Sequence, residues 1–136
     1  MDIHESVHTI LAHQQAVAEL FYARFLDNHT EIRRFFDGVD MKRQATLLGM
    51  TLLLIEHHYV YRYPVSEEYL RILGHRHQTR RGIPAWSYEP FRACLLETLA
   101  QFHGADWTDT LAREWTEAID LAIHTMLSSY DQDISV

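Results

Sequence analysis

The segment Leu73-Gly74-His75-Arg76-His77 is the part of the sequence that most sharply limits the fold and the function. Tyr69, Leu70 and Leu73 precede His77 at helical intervals, which predicts a helix whose apolar face continues into an imidazole. Imidazole nitrogens bind iron, zinc and copper. We therefore predict that the rest of the chain is arranged to hold a flat cofactor against His77.

Length and charge limit the class of protein. A chain of 136 residues can build one domain around one core, which we predict to cover residues 1–136. The formal net charge of −7 disfavours a nucleic-acid partner. No apolar run is long enough to cross a membrane, and the N-terminus lacks the pattern of a secretion signal. Because the single cysteine, Cys94, fits a reducing compartment, we expect a cytoplasmic protein without a membrane partner.

Proline and glycine occur only near apparent joints, so the pattern predicts an all-α protein with six to eight helices of unequal length. The segment from Tyr59 to Pro64 is interpreted as aromatic and irregular, and residues 131–136 are expected to fray. The expected helices run from about Ile3 to Asp27 (in one piece or two), Glu31 to Phe36, Met41 to His58, Ser66 to Gly82, Ser87 to Gly104 and Thr108 to Ser129.

The ten histidines say little individually, because a helical histidine near the end of an element is usually a surface residue. His57 and His58 end a predicted helix, where a positive charge is favoured. His75 and His77 lie on different sides of their helix. The sequence contains no zinc-ligand spacing, HExxH motif, phosphate-binding loop or nucleophile elbow. We expect the following histidines to be solvated: His4, His8, His13, His29 and His103.

Two polar residues strengthen the case for a ligand site near His77. Gln44 lies on a helix face that is otherwise apolar, and Tyr22 follows the apolar Phe21, so that its hydroxyl could face inward. A buried tyrosine and glutamine that face one cavity require a hydrogen-bonding partner. A polarised diatomic ligand would be such a partner.

The order and spacing of these segments resemble a globin, in particular the single-domain bacterial globins that are similar to the haem domain of flavohaemoglobins and to Vitreoscilla-type haemoglobins. The resemblance extends from about Val17 to Leu127. Leu20-Phe21-Tyr22-Ala23-Arg24-Phe25 resembles the second helix of the family, with Tyr22 at its distal tyrosine. Glu31-Ile32-Arg33-Arg34-Phe35-Phe36 resembles the stretch that ends in the phenylalanine packing on haem, which is Phe36 here.

The later segments continue the same resemblance. Gln44-Ala45-Thr46-Leu47-Leu48 is similar to the distal helix, with Gln44 at the distal glutamine and Leu48 at the distal leucine. Leu73-Gly74-His75-Arg76-His77 resembles the Leu-Gly-x-x-His that bears the proximal ligand, which makes His77 the axial histidine. Tyr88 and Trp115 also match family positions.

The resemblance implies a globin fold around a haem pocket, with haem b held by His77 on five-coordinate iron and with dioxygen, nitric oxide or carbon monoxide bound opposite. It implies that Tyr22 and Gln44 donate hydrogen bonds to bound dioxygen, while Leu48 shapes the distal side. The residues implied to contact haem are Phe36, Gln44, Leu48, Leu73, Arg76, His77 and Tyr88. Further candidates for its propionates are Arg43, Arg80 and Arg81.

Two positions depart from the flavohaemoglobin pattern. Ile119 stands where those proteins carry a tyrosine, and Tyr130 or a neighbour replaces their proximal glutamate. Loss of that carboxylate argues against peroxidase-like chemistry. Reversible oxygen binding is the leading interpretation. The alternatives are nitric oxide dioxygenation with an external reductase, a haem-based gas sensor that acts through a partner, and a haemless interaction module. The oligomeric state is left open.

Overall fold

The computed structural model describes residues 1–130, and over that range it contains helices and no strand. The all-α prediction is therefore confirmed, while the expectation for residues 131–136 lies outside the described residues. The α-helices are α1 (Ile3–Ala12), α2 (Gln14–Asn28), α3 (Met41–Tyr61), α4 (Pro64–Arg81), α5 (Tyr88–His103) and α6 (Asp109–Leu127). Short 3₁₀ helices occupy Thr30–Phe36, Ala85–Ser87 and Gly104–Asp106.

Local capping explains several of these boundaries. The Asp40 carboxylate accepts hydrogen bonds from the first backbone N–H groups of α3, and the Thr108 hydroxyl caps α6 in the same way. Gly82 ends α4 in the left-handed region, with φ of 63°. Ser87 occupies the position before α5, but its hydroxyl donates to the carbonyl oxygen of Pro84 and makes no hydrogen bond to the helix. None of the helices in the described range has the length and apolar character of a membrane span.

The segment from Tyr59 to Pro64 was predicted to be irregular, which is correct only for Arg62 and Tyr63 and wrong for the rest. Helix α3 continues through Tyr61, and the chain then reverses at Arg62, which adopts the left-handed conformation with φ of 55°. Helix α4 begins at Pro64 rather than at Ser66, because the fixed φ of proline suits the first helical position, where its missing N–H has no partner to lose. The Ser66 hydroxyl donates to the carbonyl oxygen of Tyr63 and accepts a hydrogen bond from the buried His58, whose Nδ1 atom lies 2.8 Å from the Ser66 oxygen.

Two further expectations about individual side chains are wrong. Tyr69 is exposed, since it lies about 100° around the helix from the fully buried Leu70. His58 is not a charged residue at a helix end, because burial lowers the pKa of its imidazole. Its neutral form is the one that burial favours.

The core is organised around α6, which packs against α3, α4 and α5. Trp115 of α6 is fully buried, and its Nε1 donates to the Ser6 hydroxyl of α1 at 2.9 Å. The same hydroxyl lies 2.6 Å from Nε2 of His103 in α5. His103 was expected to be solvated, but only 8% of it is exposed, because it joins this three-helix network. Buried polar groups are hydrogen-bonded to one another here rather than to water.

Helices α4 and α6 approach each other closely at Gly74. A Cβ atom at this position would overlap the backbone of Met126, with the carbonyl oxygen of Met126 as its nearest neighbour. Backbone atoms cannot rotate away as a side chain can. The glycine in the Leu-Gly-x-x-His segment therefore allows two helices to pack backbone to backbone, one turn before His77.

We expect Gly74→Ala to lower the free energy of unfolding by about 1–3 kcal/mol, since overpacking outweighs the better helix propensity of alanine. Urea denaturation of both proteins under one set of conditions measures the difference. Gly49→Ala is the matched control, because its added Cβ would meet chiefly the flexible Gln14 side chain. A Gly74→Ala variant as stable as the Gly49→Ala variant would contradict the tight contact.

Candidate functional site

Tyr22 lies on the inward face of α2 and is only 8% exposed. Its ring packs edge to face against Phe36, with 5.5 Å between the ring centroids. Burial raises the pKa of Tyr22 to about 12, while the hydrogen-bonding interaction with the Gln44 side chain and the charge of Arg81 act in the opposite direction. The hydroxyl consequently stays protonated at neutral pH and can act as a donor.

Gln44 and Leu48 are one turn apart on α3, so they share a face of that helix. Leu48 is buried and Gln44 is half-buried, and the Gln44 side chain lies near enough to Tyr22 to lower the pKa of its hydroxyl. The fold thus brings together Tyr22, Phe36 and Gln44, which come from three separate elements. One donor pair and an aromatic ring then face the same region.

His77 lies in the last turns of α4, one turn after the half-buried Leu73. Its Nδ1 atom is 3.0 Å from the Tyr88 hydroxyl, and no hydrogen bond within residues 1–130 involves its Nε2 atom. Burial, assisted by the charge of Arg81, lowers the pKa of His77 to about 4. The imidazole is consequently neutral at physiological pH, which is the form that binds metals.

Arg81 connects the two sides of the site. Its guanidinium donates to the carbonyl oxygen of Phe35 at 3.1 Å, and its charge lowers the pKa of both Tyr22 and His77. Because the charge of Arg81 affects the pKa of both groups, Tyr22 and His77 both lie near Arg81. All four candidate arginines are exposed, and Arg81 differs by its contact with Phe35; the other three are Arg43, Arg76 and Arg80. Spacing in the sequence did not distinguish Arg81 from these other arginines.

Behind His77, two tyrosines extend the hydrogen bonding. The hydroxyl of Tyr130 lies 3.1 Å from that of the buried Tyr88 and donates to the carbonyl oxygen of Ile83 at 2.9 Å. Burial raises the pKa of both tyrosines. Tyr130, which the sequence offered only as one possible replacement for a carboxylate, thus joins a contact with Tyr88. The acceptor at Ile83 has no signal in the sequence, because every residue carries a carbonyl.

The donor set fits haem better than a bare metal ion. Among residues 1–130, no group of three histidine, cysteine, aspartate or glutamate side chains is placed to hold a metal. A porphyrin supplies four of the iron ligands itself, so a single neutral imidazole such as His77 suffices from the protein. The partly buried aromatic and aliphatic groups Phe36 and Leu73 suit the flat apolar surface of such a ring.

The sequence model of the globin family matches residues 19–126, which is most of the chain. The chain therefore belongs to the globin family, and its all-helical architecture is consistent with the globin fold. Globins typically hold haem and bind diatomic gases such as dioxygen. A comparison with curated protein sequences found no match.

We expect the free energy of unfolding of the haem-free protein to fall as the pH is lowered from about 6.5 to about 4. In that interval the unfolded chain takes up a proton at His77, whose pKa in the folded state is depressed to about 4. The stabilisation is present above pH 6.5 and is lost on acidification. Its size is at most about 3 kcal/mol.

Urea denaturation at a series of pH values measures this effect. His77→Gln should reduce the slope of the curve between pH 6.5 and 4, because one of the buried titrating histidines is removed. His124→Gln, which changes an exposed histidine of α6, is the control and should leave the slope unchanged. Parallel curves for His77→Gln and the unaltered protein would contradict the depressed pKa.

Proposed function

We propose that this chain is a haem-binding globin of the single-domain bacterial type, similar to the haem domain of flavohaemoglobins, and that His77 is its axial ligand. The observation that carries this proposal is the neutral imidazole of His77, whose Nδ1 is engaged by Tyr88 while Nε2 has no partner among the described residues. A hydrogen bond on the far nitrogen is the usual way in which proteins orient a ligating histidine.

Haem b, when bound, supplies an iron centre that takes up dioxygen, nitric oxide or carbon monoxide. The residues of this chain that would hold it are His77, with Phe36, Leu48 and Leu73 against the ring. Arg81 is a better candidate than Arg76 for a negatively charged edge group, because Arg81 lies close enough to both sides of the site to affect the pKa of Tyr22 and of His77.

On the opposite side, Tyr22 and Gln44 donate hydrogen bonds to a polarised diatomic ligand. The raised pKa of Tyr22 keeps its proton in place for this purpose. Each such bond stabilises the bound ligand by about 1–3 kcal/mol when the acceptor carries negative charge, which slows dissociation roughly tenfold or more. Leu48 and Phe36 exclude water from the donors, so that competition from solvent is reduced.

Reversible oxygen binding is the role that we propose. Behind His77 lie two neutral phenols, and a carboxylate in their place would draw the Nδ1 proton more strongly and make the histidine a stronger electron donor. The same two distal donors would also hold dioxygen for reaction with nitric oxide. Nitric oxide dioxygenation with electrons from a separate reductase is therefore the second candidate. A cytoplasmic location is proposed with it, because Cys94 is a free and buried thiol.

We expect His77→Gly to lower haem affinity by more than about a hundredfold, since loss of a residue that merely orients a ligand already costs roughly 10- to 100-fold. Added imidazole should restore the absorption spectrum, because it replaces the missing ring. Titration of the purified protein with haem measures both effects. His75→Gly, in the same helix, is the control and should bind haem normally. An unchanged His77→Gly spectrum that imidazole does not alter would refute the assignment.

We expect Tyr22→Phe to raise the oxygen dissociation rate about tenfold, because one donor to the ligand is lost. Stopped-flow displacement of dioxygen measures the rate. Tyr59→Phe is the control, since the Tyr59 hydroxyl donates to Glu117 at the surface. An unaltered rate in Tyr22→Phe would remove this tyrosine from the ligand site. Rapid nitrate formation when nitric oxide is added to the oxygen-loaded protein would favour the second candidate.

A further inference from the structure

We propose that Tyr130 sets the tautomer and the orientation of the His77 imidazole through a one-way chain of hydrogen bonds that ends on the carbonyl oxygen of Ile83. This inference rests on the proposed function, because it concerns the nitrogen that is left free for iron. It assigns Tyr130 as a positioning residue, two contacts away from the ligating atom. The direction of the chain follows from counting protons along it.

The last group in this series of hydrogen bonds can only accept. The carbonyl oxygen of Ile83 has no proton, and the Tyr130 hydroxyl lies 2.9 Å from it with a single proton to donate. If that proton pointed elsewhere, two oxygen lone pairs would face each other at hydrogen-bonding distance. Tyr130 must therefore donate to Ile83 and can only accept on its other side.

The second link follows from the first. The Tyr88 and Tyr130 hydroxyl oxygens are 3.1 Å apart. Because the single proton of Tyr130 is already directed to Ile83, we infer that the proton between the two phenols is that of Tyr88. The oxygen of Tyr88 is then left as an acceptor for its remaining neighbour, Nδ1 of His77 at 3.0 Å. Nδ1 must carry the proton, and Nε2 consequently presents a bare lone pair.

Backbone geometry holds the terminal acceptor in place. The N–H of Ile83 donates to the carbonyl oxygen of His77 at 2.9 Å, across the left-handed turn at Gly82. Ile83 is thereby tied to the residue whose tautomer it determines. Tyr130 follows the end of α6, and its ring packs edge to face on Tyr88 with 5.7 Å between centroids. The backbone contact of Gly74 with Met126 keeps α6 beside α4, so the two hydroxyl groups and the imidazole stay within hydrogen-bonding distance of one another.

The hydrogen bonds from His77 to Ile83 pass through neutral groups only. Two phenols and a peptide carbonyl hold the proton on Nδ1 without the pull of a carboxylate. The hydroxyl of Tyr130 is needed for this direction, since a phenylalanine would leave Tyr88 without its acceptor. Tyr88 would then be free to donate to Nδ1, and the proton of His77 would move to Nε2, the atom that must ligate.

The test is a two-bond ¹H–¹⁵N correlation spectrum of the imidazoles in the full-length haem-free protein. The unaltered protein should show His77 protonated at Nδ1. Tyr130→Phe should shift the ratio of the two tautomers toward Nε2–H by about tenfold, as expected for loss of one directional hydrogen bond. Tyr130→Glu supplies another acceptor and should retain Nδ1–H. Tyr59→Phe, the matched loss of a hydroxyl elsewhere, should change nothing.

A second readout uses the haem-loaded ferrous protein. The iron–histidine stretching frequency in resonance Raman spectra should fall in Tyr130→Phe and rise in Tyr130→Glu, because the acceptor behind Nδ1 becomes weaker or stronger. The proposal is overturned if unaltered His77 carries its proton on Nε2, or if Tyr130→Phe leaves the tautomer ratio unchanged. The first of these outcomes is measured on the unaltered protein, so the test remains decisive even if Tyr130→Phe does not fold. Haem binding by His77→Gly would overturn the axial ligand while leaving the tautomer result standing.

Discussion

Direct backbone contact between α4 and α6 at Gly74 is the constraint on which the rest of the site depends. Helix α4 carries His77, and the segment that follows α6 carries Tyr130. The separation of these helices therefore decides whether Tyr88 can form hydrogen bonds with both side chains. A larger residue than glycine would overlap the Met126 backbone and strain this packing. The Leu-Gly-x-x-His segment therefore encodes a helix separation as well as a ligand.

Local features of the fold could be predicted from the sequence because their causes are local. Helices were predicted to start at about Met41 and Thr108, and in the structure the side chains of Asp40 and Thr108 accept from the helical N–H groups there. The segment from Tyr59 to Pro64 was misjudged because its aromatic residues favour extended backbone, whereas packing continues α3 to Tyr61. The burial of His58 and His103 was missed for a different reason. It depends on Ser66 and Ser6, which no periodic pattern connects with them.

The candidate site also contains residues that could be predicted from the sequence and residues that could not. Tyr22, Gln44 and His77 could be singled out because each is polar on an apolar helix face, and the structure brings Tyr22 and Gln44 into contact. Their roles toward haem and gas stay predictions. Arg81 could not be chosen over Arg76, because the spacing of residues in one helix does not show which of them meets a neighbouring element. The hydrogen bond from Tyr130 to Ile83 joins residues 47 positions apart in the chain and uses a backbone atom as acceptor.

The bridge that Arg81 makes to the Phe35 carbonyl has a consequence for how the two sides of the site combine energetically. One guanidinium charge acts on both Tyr22 and His77, so the two residues share a perturbing group although they sit on different helices. Removal of the Arg81 charge would raise the proton affinities of Tyr22 and His77 together. A single substitution at Arg81 therefore changes the acidity of the tyrosine and the basicity of the histidine at the same time.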